Sequence, residues 1–242
     1  PIYLVKNNLP PAGIAMDVNK GPLEKAQEHI REEKLGGKIA TRLGNGLAPL
    51  EPGETDTVII AGMGGDLICK ILKAKPEFLI EGKEFILQPQ SEWFKIRRLL
   101  KEYRYQIEKE WFLKEDGKYY VIIKAEPAWT QPQRLKHQQP SIHEYIKEIS
   151  DTQVNQAVSE KDMESIYEQY GKYLIETKNP VLKEYLEKEI TKKESIAAEL
   201  KQSIKEIESE ELSGKERGNI AKRQRRYQEI QKEIRDMRKA IG

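Results

Sequence analysis

The sequence predicts an α/β protein, a mainly parallel sheet with an antiparallel edge that carries a helical hairpin at its C-terminus. Short β-branched runs alternate with helical stretches up to about Pro127, and the remainder is rich in Lys, Glu, Gln and Arg. A tight Glu115-Asp116-Gly117 turn joins two extended runs. Two amphipathic stretches end the chain, with Ser213-Gly214 and Gly218 offering a turn between them.

Residues 2–6 read as the tail of a helix closed by Asn7-Asn8 and Pro10-Pro11. Residues 13–17 form a short buried strand ending on Asp17, and residues 23–33 a helix stopped at Gly36-Gly37, a pair suited to a left-handed cap. A second strand spans 38–43 and runs into Gly44-Asn45-Gly46. Thr-Val-Ile-Ile-Ala at 57–61 is unbroken and apolar, as in a strand buried on both faces. Gly62-Met63-Gly64-Gly65 then turns into a helix over 66–72. A strand at 84–87 ends in Gln88-Pro89-Gln90, a helix covers 93–103, and strands at 105–113 and 118–126 form a hairpin. Residues 129–140 read as a Gln/Pro-rich linker, and 141–174 as weakly periodic helix. Beyond the break at Lys178-Asn179-Pro180, Leu182, Leu186, Ile190, Ala197, Leu200, Ile204 and Ile207 mark one helical stripe. Ile220, Tyr227, Ile230, Ile234, Met237 and Ile241 mark another, and the two are expected to pack antiparallel. The domains expected are 1–127, 128–180 as connection, and 181–242 as the hairpin.

Composition excludes several classes. At 242 residues the chain can hold one α/β domain and an appendage. With 38% hydrophobic and 34% charged residues, the core belongs to the first half. The net charge of +2 is no global nucleic-acid signature, so a polyanion site must come from local clustering. The single Cys69 rules out an internal disulfide framework and suits a reducing compartment, with the cytoplasm as the default. No apolar run is long enough for a membrane span. His29, His137 and His143 are scattered without metal-ligand spacing, so no metal site is expected.

Asp17, Asn45, Gly62 to Gly65 and Gln88-Pro89 all fall at carboxyl ends of predicted parallel strands, where such sheets bind ligands. Asp17 either accepts the hydroxyls of a ribose or caps the following helix. Asn45 either meets an adenine edge, since an amide both donates and accepts, or is a plain turn residue. The Gly62–Gly65 string lets backbone approach a ligand and offers amides at a helix start, or is a tight turn; it is not a P-loop, since no Gly-Lys-Ser/Thr follows. Gln88 and Gln90 can pair with adenine through their amides. Trp93 or Phe94 stacks on an extruded base or sits in the core. Lys222, Arg223, Arg225 and Arg226 form the densest basic cluster, a solvated helix face or an RNA-backbone contact.

The ordered strings Ala15-Met16-Asp17-Val18-Asn19-Lys20-Gly21-Pro22, Gly44-Asn45-Gly46-Leu47, Ile60-Ala61-Gly62-Met63-Gly64-Gly65, Leu87-Gln88-Pro89, Glu115 to Tyr120 and Tyr170-Gly171-Lys172-Tyr173-Leu174, with Lys178-Asn179-Pro180, resemble the bacterial tRNA (adenine(22)-N(1))-methyltransferase family. The resemblance implies a Rossmann-like class I methyltransferase sheet with a C-terminal coiled-coil hairpin, S-adenosylmethionine as cofactor, and tRNA as substrate. It implies that Asp17 holds the cofactor ribose, Val18 packs near the adenine, Gly44, Asn45 and Gly46 flank it, and Ala61, Gly62 and Met63 line the methionine side. Gly62, Met63, Gly64, Gln88 and Pro89 would position the target base, and Lys222, Arg223, Arg225 and Arg226 would grip tRNA. Two departures stand out: the family has Asp where this chain has Asn45, and residues 129–163 are longer than its pattern. The family also has a first strand and glycine-containing loop that precede the point where this chain begins, with Pro1 as the end of that string. An N-terminal truncation is therefore expected, with weak or absent cofactor binding and no activity for residues 1–242 alone; a monomer or weak dimer is expected. Other readings are a class I methyltransferase of another RNA or small molecule, or a non-catalytic coiled-coil binding protein.

Overall fold

The computed structural model describes residues 1–128, 158–208 and 214–242; the predicted linker at 129–140 and the turn at Ser213 lie outside them. After α1 (Ile2–Lys6), strand β1 (Gly13–Asp17), helix α2 (Lys20–Glu32) and strand β2 (Ile39–Leu43) form a parallel pair with its crossover. Strand β3 (Thr57–Met63), helices α3 (Gly65–Lys73) and α4 (Pro76–Ile80), strand β4 (Glu84–Pro89) and helix α5 (Trp93–Glu102) follow. Strands β5 (Tyr105–Glu115) and β6 (Lys118–Pro127) make the hairpin, turned by Asp116 and Gly117 at φ 48° and 76°. Both central turn residues are left-handed, which matches the twist of a two-residue hairpin. The hydrogen-bonded sheets run β1-β2 and β3-β4-β6-β5; β3 and β4 are parallel, and β6 returns antiparallel between β4 and β5.

The main core spans the β3-β4-β6-β5 sheet and its helices, with Phe78, Phe85, Phe112, Leu72, Leu87, Ile96 and Leu100 at most 2% exposed. It continues into α6 (Val158–Tyr170), α7 (Lys172–Glu176), α8 (Pro180–Glu208) and α9 (Gly214–Ile241) through Ile166, Leu174, Leu182, Leu186, Ile230 and Ile234. Each such side chain removed from water contributes roughly 1.5–3 kcal/mol. Helices α8 and α9 pack antiparallel: Lys193 bonds Glu233 and Arg238 bonds Glu194, each at 2.5 Å. Ile14 and Met16 of β1 rest on the main core, while Ala15 faces a small second cluster of Val5, Ile30 and Ile39.

Several expectations are corrected. Strand β3 is not buried on both faces, since Val58 and Ile60 are buried but Ile59 is 50% exposed. Strand β1 is half-buried along its length. Helix α2 starts at Lys20 and is closed by left-handed Lys34 (φ 57°) rather than by Gly36-Gly37. Helix α4 was unforeseen; Pro76 at its first turn, with Phe78 and Leu79 buried, accounts for it. Gly218 lies within α9, not in the turn.

Candidate functional site

The chain ends of β1, β2, β3 and β4 bring the candidate residues to the carboxyl edges of their sheets. Asp17 closes β1, and its Oδ1 accepts the Asn19 N–H at 2.7 Å. That is a local Asx turn; helix α2 has Asn19 as its N-cap with no side-chain cap bond, so Asp17 does not cap it. Its second oxygen has no hydrogen-bond partner among the described residues. Val18 beside it is 60% exposed.

The turn after β2 is anchored to the body of the protein. Gly46 is left-handed (φ 55°) and a Cβ there would meet Ile71 of α3 at 2.8 Å, so no other residue fits without displacing that helix. Arg42 donates to both oxygens of Glu54 at 2.5 and 2.6 Å and to the Pro49 carbonyl at 2.8 Å, closing the loop behind Asn45. The Arg42 bond is the main reason the Glu54 carboxyl falls to about 2. Asn45 is left exposed at the tip.

Gly62 is the extra residue of a bulge between Ala61 and Met63, with φ 79° and open space where a Cβ would stand. Its N–H donates to Gln88 Oε1 at 2.8 Å. A backbone N–H only donates, so the orientation of the Gln88 amide is fixed, oxygen toward Gly62. Gln88 therefore cannot pair bidentately with adenine, as its sequence position suggested, and its Nε2 is itself buried, without a partner among the described residues. The amides at the start of α3 are also committed: Gly65 N–H to the Ser91 carbonyl (3.0 Å) and Asp66 N–H to Glu92 Oε2 (3.3 Å). The glycine string is thus a joint between two loops rather than a cradle for phosphate.

A charged clamp completes that joint, and nothing in the linear pattern announced it. Lys95 donates to Asp66 Oδ1 at 2.9 Å and Glu92 Oε1 at 3.1 Å, while Lys70 reaches Asp66 Oδ2 at 2.8 Å. The bonds from Lys70 and Lys95 bring the Asp66 carboxyl down to about 2; Lys95 likewise lowers Glu92, and Asp66 in turn raises Lys95. A folded-state pKa this low means that the clamp is intact above the ordinary carboxylate range and is lost only as pH falls toward about 2. Glu92 holds its place with a left-handed backbone (φ 53°). Gly65 packs so closely that a Cβ would lie 2.6 Å from the Glu92 carbonyl oxygen and 2.7 Å from that of Ser91. Gly65→Ala is expected to lower stability by about 1–3 kcal/mol, read by urea unfolding. A variant with the wild-type midpoint would show that the joint tolerates being pushed apart.

Trp93 and Phe94 are not open stacking platforms. Trp93 meets Phe112 edge-on at 5.4 Å, and Phe94 lies under Arg98 at 5.8 Å. Of the basic cluster, Arg223 donates to Ser203 Oγ on α8, and Arg226 pairs with Glu229 (3.2 Å) and Glu233 (3.5 Å). Lys222 and Arg225 are exposed, with no ion pair among the described residues. No group of metal-ligating side chains occurs among the described residues, and none of their helices is long and apolar enough to cross a membrane.

Parallel pairs β1-β2 and β3-β4 with crossover helices, and a last strand that returns antiparallel between β4 and β5, are parts of the Rossmann-like arrangement of class I methyltransferases. The chain belongs to the tRNA (adenine(22)-N(1))-methyltransferase family, TrmK, whose profile matches residues 1–224. The tRNA (adenine(22)-N(1))-methyltransferase of Bacillus subtilis (strain 168) is 33% identical over 187 residues, 64% of this chain and 77% of that protein. The crystal structure of the B. subtilis M1A22 tRNA methyltransferase TrmK superposes with a TM-score of 0.70 at 24% identity, covering 100% of this chain and 87% of that one. The structure of M. capricolum TrmK in complex with S-adenosyl-homocysteine gives 0.65 at 24% identity, over 100% and 85%. At that identity the two structures speak for the fold.

Proposed function

We propose that the enzyme to which this chain belongs transfers a methyl group from S-adenosylmethionine to N1 of adenine 22 in tRNA, using the carboxyl ends of β1, β2 and β3 for the cofactor. The observation that carries the reading is the hydrogen-bonded joint of the Gly62–Gly65 and Gln88–Glu92 loops, beside strand ends that present Asp17, Val18 and Asn45. These residues fit the cofactor. Asp17 keeps one oxygen for a ribose hydroxyl, exposed Val18 offers an apolar face to the adenine, and Gly44, Asn45 and Gly46 form the turn beside it. Ala61, Gly62 and Met63 leave open space above the bulge for the methionine half.

S-adenosylmethionine, when bound, would supply an electrophilic methyl group on a sulfonium to the in-plane lone pair of a ring nitrogen. Adenine N1 carries that lone pair at neutral pH, so no residue has to remove a proton before attack. What the protein contributes is position: Gly62, Met63, Gly64 and Pro89 shape the wall against the target base, and Gln88, whose Nε2 is buried, holds the Gly62 bulge in place through its amide oxygen. Residues 1–127 act as the cofactor domain, 128–180 as the connection, and 181–242 as the hairpin that holds tRNA through Lys222, Arg223, Arg225 and Arg226. The seam residues Leu186, Ile230 and Ile234 are covered within the chain, which suits a monomer or weak dimer, and a tRNA substrate is in keeping with a cytoplasmic protein. The test is methyl transfer by the full-length gene product to unmodified tRNA, with the product digested and mapped. Labelled 1-methyladenine at position 22, lost when that base is changed to guanine, is the expected result; methylation at another position would overturn the assignment.

A further inference from the structure

The Tyr170-Gly171-Lys172-Tyr173-Leu174 string lies outside the residues proposed for cofactor and base, and the structure gives it a definite task. Gly171 joins α6 to α7 at φ 92°, and a Cβ there would overlap Glu110 and approach Arg97 Nη2 to 2.9 Å. Arg97 and Glu110 are both buried, paired at 2.7 Å, and Arg97 Nη1 donates to the last carbonyls of α6, those of Glu168 (3.0 Å) and Gln169 (2.9 Å). The helical tail is thereby seated on α5.

One turn earlier on α5, at Trp93, the tail makes a second contact. The Trp93 ring lies 5.7 Å from Tyr185 of α8 and 5.4 Å from Phe112, and Tyr185 stands 5.5 Å from Phe112 and 5.0 Å from Tyr119. Trp93 directly follows Glu92, whose carboxylate accepts the Asp66 N–H and whose backbone carbonyl abuts Gly65. The first turn of α5 therefore touches the two site loops through Glu92 and Lys95, and the C-terminal helix through Trp93. The Trp93 Nε1 is buried without a partner among the described residues, a cost that phenylalanine would avoid.

We propose that Trp93 and Tyr185 are positioning residues for methyl transfer: α8 buttresses the Gln88–Glu92 loop, and the hairpin serves the chemistry as well as the grip on tRNA. This rests on the reading of that loop as the target-base side of the site. The tail braces the helix start from behind, and the brace reaches the reacting geometry through Glu92 and the backbone of Gly65.

Tyr185→Leu keeps apolar volume and removes the ring; Tyr185→Phe keeps the ring. Hydrogen exchange on residues 1–242 is expected to rise severalfold in the 88–95 peptide of Tyr185→Leu and to stay at the wild-type level in Tyr185→Phe. In the full-length gene product, Tyr185→Leu should lower kcat for tRNA by about 10–100-fold with KM for tRNA little changed, and Tyr185→Phe should restore it. Trp93→Phe, which retains a ring and sheds the unpaired N–H, should keep its melting midpoint while kcat falls, and it decides the matter if Tyr185→Leu does not fold. A raised KM at unchanged kcat, or unchanged exchange in the 88–95 peptide, overturns the buttress and leaves the tail a grip only. Failure of the wild-type protein to methylate adenine 22 overturns the functional reading instead, and the exchange measurement still decides the buttress.

Discussion

Arg97→Met is expected to lower stability by roughly 3–5 kcal/mol, the loss that follows when one partner of a buried ion pair is removed. The guanidinium and the Glu110 carboxylate are 4% and 0% exposed and meet at 2.7 Å. Methionine fills much of the same volume but leaves a carboxylate without its counter-charge and the Glu168 and Gln169 carbonyls without their donor. The pair is not fully satisfied even now, because Arg97 Nη2 and Glu110 Oε2 have no partner among the described residues. Its worth as a pair is therefore modest, and its removal as a pair should be mild. Arg97→Met combined with Glu110→Leu should recover most of the loss, short of about 1–2 kcal/mol for the two orphaned carbonyls. Urea unfolding of wild type, both single variants and the double variant measures the coupling. A double variant as unstable as Arg97→Met would falsify the pairing account and leave the carbonyl contacts as the source of the effect.

That pair also marks where the sequence stops being informative. Arg97 sits in a run with Lys95, Arg98 and Lys101 that resembles a solvated helix face, and Glu110 lies in a strand among other charges. Only the docking of α6 and α7 onto α5 removes both from water. The Asp66–Glu92–Lys95 clamp was illegible for a similar reason, since its partners lie 26 to 29 residues apart across two loops. Features fixed by local backbone chemistry read directly: the Asp116-Gly117 turn, the break at Lys178-Asn179-Pro180, where Asn179 Oδ1 is found to accept the Val181 and Leu182 N–H groups at 3.0 Å, and the strand ends bearing Asp17 and Gly62. Strand β3 lies between these cases. Its apolar run predicted a strand, but which face is covered depends on neighbours that the run itself does not name, and Ile59 is exposed. For Gln88 the sequence supplied the residue and its place, while the bond from Gly62 decided which way its amide points.

Replacing Lys222 and Arg225 together by Glu is expected to weaken tRNA binding by roughly tenfold or more and to reduce the slope of log K against log salt by about 1–2. Helix α9 and its last residue, 214–242, hold ten Lys and Arg against four Asp and Glu, in a chain whose net charge is only +2. Within the cluster the four side chains are not equivalent. Lys222, Arg225 and Arg226 share one face by their three- and four-residue spacing, but Arg226 already answers Glu229 and Glu233. Arg223 lies toward the α8 seam, where it bonds Ser203. A phosphate meeting Arg226 or Arg223 must compete with those partners, whereas Lys222 and Arg225 are exposed to release counterions. Arg223→Gln should therefore change affinity by less than about twofold, and the double reversal should carry most of the effect of changing all four. Filter-binding titrations of unmodified tRNA at several salt concentrations separate the cases, and equal losses from Arg223→Gln and the reversed pair would refute the ranking. The kinetic signature also differs from that at Tyr185: weakened phosphate contact raises KM for tRNA and is sensitive to salt, whereas a loosened Gln88–Glu92 loop lowers kcat at any salt concentration. One helical hairpin can thus be assigned two tasks by which of the two constants moves.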